Sequence, residues 1–144
     1  MTDVVVDASA ALGWILRSQA TASGAAFLER GDGYRLFAPS VFSWETRNVL
    51  LSLDRRGVIA SIDYAPALRA LDDLQISFAP PFEEDEVQEL TTIARRVGLS
   101  LFDTAYFTMA LDRSMALASR DGGLLRIAAA SGIECFDLRV GASP

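Results

Sequence analysis

The sequence predicts a single three-layer α/β/α domain, a central parallel sheet between two layers of helices. Three observations predict it. Short apolar runs such as Val4-Val5-Val6 and Met115-Ala116-Leu117-Ala118 show no polar alternation, as expected of strands buried on both faces. Segments with apolar residues at helical spacing separate these runs, which implies parallel strands joined by crossovers. Gly and Pro stand at the joints, and no tract is long enough to act as a linker between two domains. A chain of 144 residues suits one domain, and such a domain buries roughly two-thirds of its unfolded surface.

The elements follow in order. The first strand spans 4–6, a short helix 10–16 and a second helix 21–29, which Gly31 and Gly33 end. A strand at 36–38 leads through Pro39 into a helix with Ser40 as its N-cap, running to Leu53 and stopping near Gly57. On that helix Phe42, Glu45, Val49 and Leu53 share one stripe. A helix over 66–74 and a strand over 76–79, ended by Pro80-Pro81, come next. The segment 83–97 is an amphipathic helix stopped by Gly98, and another helix covers about 101–113. Strands at 115–118 and 133–136 flank an alanine-rich helix that begins at Leu124 and ends at Ser131-Gly132. The domain takes up 1–140, and 141–144 form a frayed tail.

Composition removes several classes of function. The chain has no histidine, so Ser-His-Asp and Cys-His mechanisms and most zinc sites are excluded. Cys135 is the sole cysteine, which precludes an internal disulfide and fits a small core hydrophobe in a reducing compartment. No charge-free stretch approaches the roughly 20 residues of a membrane helix, and Met1-Thr2-Asp3 leads straight into the first strand, so a cytoplasmic location is expected. Net charge is −6, the wrong sign for coating nucleic acid by bulk electrostatics. A phosphate ligand would need a metal ion or arginine, and every one of the 13 basic residues is Arg. Codon composition explains most of that bias.

Four acids sit beside or within apolar stretches: Asp7, Glu45, Asp103 and Asp121. Asp7 and Asp121 each follow a strand, at the edge where open α/β sheets bind ligands. Each has a plainer explanation, Asp7 as an N-cap, Asp121 as a turn residue in Asp-Gly-Gly, and Asp103 as a first-turn acid after Ser100. Glu45 resists one, because no cap explains a carboxylate on a core-facing stripe. Taken together, four carboxylates in one crevice repel unless a cation fills it, and all-oxygen ligation suits Mg²⁺ or Mn²⁺. The denser acidic run Glu83, Glu84, Asp85, Glu86 and Glu89 reads as a solvated first turn.

Four strings carry a family resemblance: Val-Val-Val-Asp-Ala-Ser-Ala at 4–10, Pro-Ser-Val-Phe-Ser-Trp-Glu-Thr-Arg-Asn-Val-Leu at 39–50, Leu-Ser-Leu-Phe-Asp-Thr-Ala-Tyr at 99–106, and Leu-Ala-Ser-Arg-Asp at 117–121. In order and separation they resemble PIN-domain ribonucleases, and more narrowly VapC toxins of bacterial toxin–antitoxin pairs. Each string is short; the ordered set is the specific signal. The resemblance implies metal-dependent RNA cleavage, with Asp7, Asp103 and Asp121 holding Mg²⁺ (or Mn²⁺) and Glu45 orienting or deprotonating the attacking water. It also implies supporting roles for Ser9, Asn48 and Ser119, a homodimer, and a cognate VapB-type antitoxin that covers the site. Arg47, Arg95, Arg96 and Arg120 are the basic candidates near the motifs. Two other readings stand beside it: a PIN-like module that binds RNA or protein without cleaving, and a metal-dependent phosphohydrolase of small phosphoesters. Against the second, Ser9 stands where such enzymes resemble Asp-x-Asp, and the chain has no lysine.

Overall fold

Val4, Val5 and Val6 are fully excluded from solvent. Because successive strand side chains point to opposite faces, this burial requires cover on both sides of the sheet. The computed structural model, which describes residues 1–30 and 33–139, shows that arrangement; Gly31 and the expected tail 141–144 lie outside the described residues. The five strands are β1 (Thr2–Val6), β2 (Tyr34–Ala38), β3 (Ser77–Phe78), β4 (Ala116–Ser119) and β5 (Cys135–Asp137). They form one all-parallel sheet in the order β3-β2-β1-β4-β5. The seven α-helices among the described residues are α1 (Ala8–Ile15), α2 (Ala22–Glu29), α3 (Val41–Arg55), α4 (Tyr64–Asp73), α5 (Glu84–Val97), α6 (Leu101–Asp112) and α7 (Gly122–Ala130).

The strand order places the site. The chain leaves β1 for β2 and β3 on one side, then returns for β4 and β5 on the other. A crevice therefore opens between the carboxyl ends of β1 and β4, which pair in register from Val4–Ala116 to Val6–Ala118. All four residues of β4 are buried, so the core runs through the switch point and not beside it. Tyr106, Leu50, Leu117 and Leu124 are the largest wholly buried side chains and come from α3, α6, β4 and α7.

Local signals explain most boundaries. Thr21 caps α2 by accepting from Gly24 N–H, and Ser100 caps α6 by accepting from Asp103 N–H. The predicted cap Ser40 is a correction: it has helical φ and ψ and makes no side-chain cap bond, because the Pro39 carbonyl already accepts from Phe42 N–H and starts the turn. The third predicted strand shrinks from 76–79 to two residues, for β3 is an edge strand that Pro80 stops from pairing further. Gly98 ends α5 at φ +78°, a left-handed conformation where a Cβ is disfavoured by about 1 kcal/mol or more. Gly98→Ala is expected to lower the unfolding midpoint by a few degrees, measured by thermal melting; an unchanged midpoint would contradict this account of the stop.

Candidate active site

Asp7 is the one residue between β1 and α1, and its extended backbone turns its side chain to cap the helix. It is 3% exposed. Oδ1 accepts from Ala10 N–H at 2.8 Å and from the Ser9 hydroxyl at 2.7 Å, while Oδ2 accepts from the Ser119 hydroxyl. The two serines do matching work. Ser9 Oγ also accepts from Arg120 N–H, and Ser119 Oγ from Asp121 N–H, each at 2.9 Å. Each hydroxyl thus joins the buried carboxylate to the backbone of the β4–α7 junction, stitching together chain segments more than a hundred residues apart.

Asp121 caps α7 through Oδ1, which accepts from Leu124 N–H at 3.0 Å. Asp7 is thus the N-cap the sequence suggests, whereas Asp121, read there as a turn residue, also caps a helix, and both leave capacity over. A carboxylate has about four acceptor positions; Asp7 uses three and Asp121 one among the described residues. Glu45, half-buried on α3, accepts at Oε1 from the Tyr106 hydroxyl at 2.8 Å. Asp103 occupies the first turn of α6 and is half-buried. All four acids line one cavity of about 270 Å³, together with Ser9, Gln19 and Arg120.

The electrostatics fit a site short of positive charge. Burial pushes the Asp7 carboxyl up to about 6, against the opposing pull of its three hydrogen bonds, and the charge of Asp103 adds to the rise. Burial likewise raises Glu45; the Tyr106 hydrogen bond pulls it back, and the charges of Asp7, Asp103 and Asp121 push it further up. Asp103 is raised by burial and then by Asp121. Arg120 lines the same cavity but takes part in neither ion pair among the described residues, and its buried Nε has no hydrogen-bond partner.

A divalent cation matches this donor set, for every spare ligand is a carboxylate oxygen. As the side chains stand, no three Asp, Glu, Cys or His residues among those described meet closely enough to enclose an ion. Asp7 is pinned by three hydrogen bonds, so closure on a cation falls to rotamer changes at the half-buried Glu45, Asp103 and Asp121.

Two residues depart from the expected picture. Asn48 lies on a neighbouring cavity with Trp44 and Arg47, not on the acidic one. Tyr106, fully buried, holds Glu45, a role that the sequence did not assign to it. Its sequence signals were its place at the end of the 99–106 string and its position three residues after Asp103, on the same face of α6.

Comparison with known proteins accords with this geometry. No curated protein matches the chain significantly in sequence. Among solved structures, PAE2754 from Pyrobaculum aerophilum is 22% identical with a TM-score of 0.66, over 88% of this chain and 84% of that one. FitAcB from Neisseria gonorrhoeae is 19% identical with a TM-score of 0.56, over 93% of this chain and 96% of that one. At these identities the likeness concerns the fold alone. The PIN domain profile matches residues 4–130, a span that opens in β1 ahead of Asp7, closes with α7 beyond Asp121, and so takes in all four acids: the chain belongs to the PIN domain family.

Proposed function

We propose that this PIN domain is a divalent-metal-dependent endoribonuclease, the toxin of a VapC-type toxin–antitoxin pair. The observation that carries the proposal is the meeting of four carboxylates from four separate elements in one cavity at the switch point of the sheet. The narrower toxin assignment is supported by the ordered motif set, and with it come a VapB-type antitoxin, a homodimer and an RNA substrate. Apolar side chains at the surface between residues 21 and 74, such as Ile62 (82% exposed) and Val58, offer contact area for protein partners.

In this reading Asp7, Asp103 and Asp121 hold Mg²⁺ or Mn²⁺, which when bound supplies a water of lowered pKa and a Lewis acid for a phosphate oxygen. Asp7 is the rigid anchor, aligned by Ser9 and Ser119. Glu45 takes the proton of the attacking water, a role suited to a carboxyl raised above its ordinary range. Tyr106 occupies one Glu45 oxygen and leaves the other for that water.

A second reading, a PIN module that binds without cleaving, draws on the fact that the acids do not already close around an ion. One experiment separates the two. Purified protein incubated with total RNA in Mg²⁺ or Mn²⁺ should yield discrete fragments that EDTA and Asp7→Asn abolish. Absence of cleavage by antitoxin-free protein would sink the nuclease assignment. A phosphohydrolase would instead clear a generic aryl phosphate.

Tyr106→Phe tests the positioning of Glu45. Removing a supporting hydrogen bond of this kind typically lowers activity about 10- to 100-fold. Because the Tyr106 bond pulls the Glu45 carboxyl down, its loss should also move the acidic limb of the pH–rate profile to higher pH. A lower rate with an unmoved limb would assign Tyr106 a packing role only.

A further inference from the structure

On the outer face of α3, next to the acidic cavity, Trp44 is 81% exposed. It borders a cavity of about 610 Å³ shared with Ser43, Arg47, Asn48, Leu51 and Tyr64, a size within the usual range of small-ligand pockets. We propose that this cavity is a binding pocket for one unpaired nucleotide of the RNA, with Trp44 stacking on the base, Asn48 reading its edge and Arg47 holding its phosphate. The proposal rests on the ribonuclease reading, whose substrate specificity it would supply.

The lining has the chemistry for such a ligand. An exposed indole offers a flat π-face that accepts any base, and Tyr64 adds a second aromatic wall. The Asn48 amide, exposed and one helical turn beyond Trp44, presents a donor and an acceptor side by side, as a base edge requires. Arg47 donates from Nη1 to the Ser43 carbonyl at 3.1 Å and takes part in neither ion pair among the described residues, although the chain carries net charge −6. Its other four donors make no hydrogen bond among the described residues, and a phosphate matches them.

Continuity with the acidic cavity supports RNA as the occupant. Glu45 and Val49 line that cavity, and Trp44 and Asn48 line this one, so the two stripes lie side by side on a single helix. Residues one apart are turned by about 100°, and on a helix of about 10–12 Å diameter the stripes are separated by roughly 10 Å of surface. An RNA strand whose scissile phosphate sits at the acids passes over Trp44 with its neighbouring nucleotide.

The test uses the full chain in EDTA, where no cleavage occurs, in a Trp14→Phe background that leaves Trp44 as the sole tryptophan. Short oligo(A), oligo(C), oligo(G) and oligo(U) ribonucleotides are titrated and tryptophan emission is followed. Saturable quenching is expected, stronger for one or two of the four. Trp44→Ala, followed by anisotropy of labelled RNA, should weaken binding about 5- to 150-fold, the equivalent of the 1–3 kcal/mol typical of one stacked base. Trp44→Phe should retain most of the affinity, and Asn48→Ala should level the preference among the four. Arg47→Ala should weaken all four alike and reduce the salt slope by about one. Unchanged RNA affinity in Trp44→Ala overturns the pocket, and a simultaneous shift to monomer on sedimentation would assign the face to a second copy of the chain. Saturable quenching in the Trp14→Phe protein, together with no RNA cleavage by the wild type, would sink the nuclease reading and leave the pocket standing; cleavage with no effect of Trp44→Ala would do the reverse.

Discussion

Asp7→Asn is expected to slow RNA cleavage by roughly a thousandfold and, unusually for a core substitution, to stabilise the fold. The first effect follows from the loss of the pinned member of the metal-holding set; the charge stabilisation a bound cation supplies is on the order of several kcal/mol. The second follows from burial. An Asp carboxyl raised from 3.8 to about 6 on folding is harder to ionise in the native state than in the unfolded chain. At neutral pH that mismatch opposes folding by about 3 kcal/mol. Asn resembles the protonated acid: its oxygen can still accept from Ala10 N–H and Ser9, with no charge to bury. Without divalent cations the melting temperature should rise, by roughly 5–10 °C if most of the term is recovered. A variant that is inactive and also less stable would show that the Asp7 hydrogen bonds matter more to folding than its charge does.

The pH dependence of the unmodified protein gives the second large effect. Below 3.8 Asp7 is protonated whether folded or not, and above about 6 it is ionised in both states, so the stabilising contribution is complete at low pH and disappears as pH rises through 6. Glu45 and Asp103 are shifted upward too and act in the same sense. In EDTA, stability should therefore climb on acidification from pH 7.5 to 5, by about 1–2 kcal/mol from Asp7 alone. Asp137, held down by its hydrogen bonds to Arg139, opposes this trend only when pH falls further. A bound cation reverses the behaviour because it needs the ionised carboxylates. The rise in melting temperature produced by Mn²⁺ at pH 7.5 should vanish by pH 5. A flat EDTA profile, or a cation effect undiminished at pH 5, would contradict the burial account of Asp7.

Much of this was legible in the chain because the signals are local. Val4-Val5-Val6 and the run before Ser119 announce buried parallel strands through their lack of alternation, and the acids that follow are thereby put at carboxyl ends. Gly98 and Ser100 mark the α5–α6 joint through backbone and capping chemistry confined to a few residues. Glu45 stood out because helical spacing set it on a stripe with Phe42 and Leu53, both of which are buried.

Other features depend on contacts that no local pattern encodes. A cap role for Asp7 or a turn role for Asp121 looked like an alternative to a shared cavity, yet each carboxylate caps a helix and has acceptor positions left for the cavity. Ser9 and Ser119 could be turn residues or ligand contacts in the sequence; in the fold both donate to Asp7, and Ser9 also accepts from Arg120 N–H at the exit of β4, Ser119 from Asp121 N–H two residues further along its own segment. Asn48, three residues after Glu45 and offset from it by about 60° around α3, lines the Trp44 cavity, which its spacing alone did not indicate. The sequence by itself determined the elements, the layers and the four acids, since periodicity, capping and desolvation act within a few residues or on composition. Only the tertiary structure decided that β1 pairs with β4, that Tyr106 reaches Glu45 across 61 positions of sequence, and that the acids line one cavity, because these follow from packing between segments whose separation along the chain carries no signal of their distance in space.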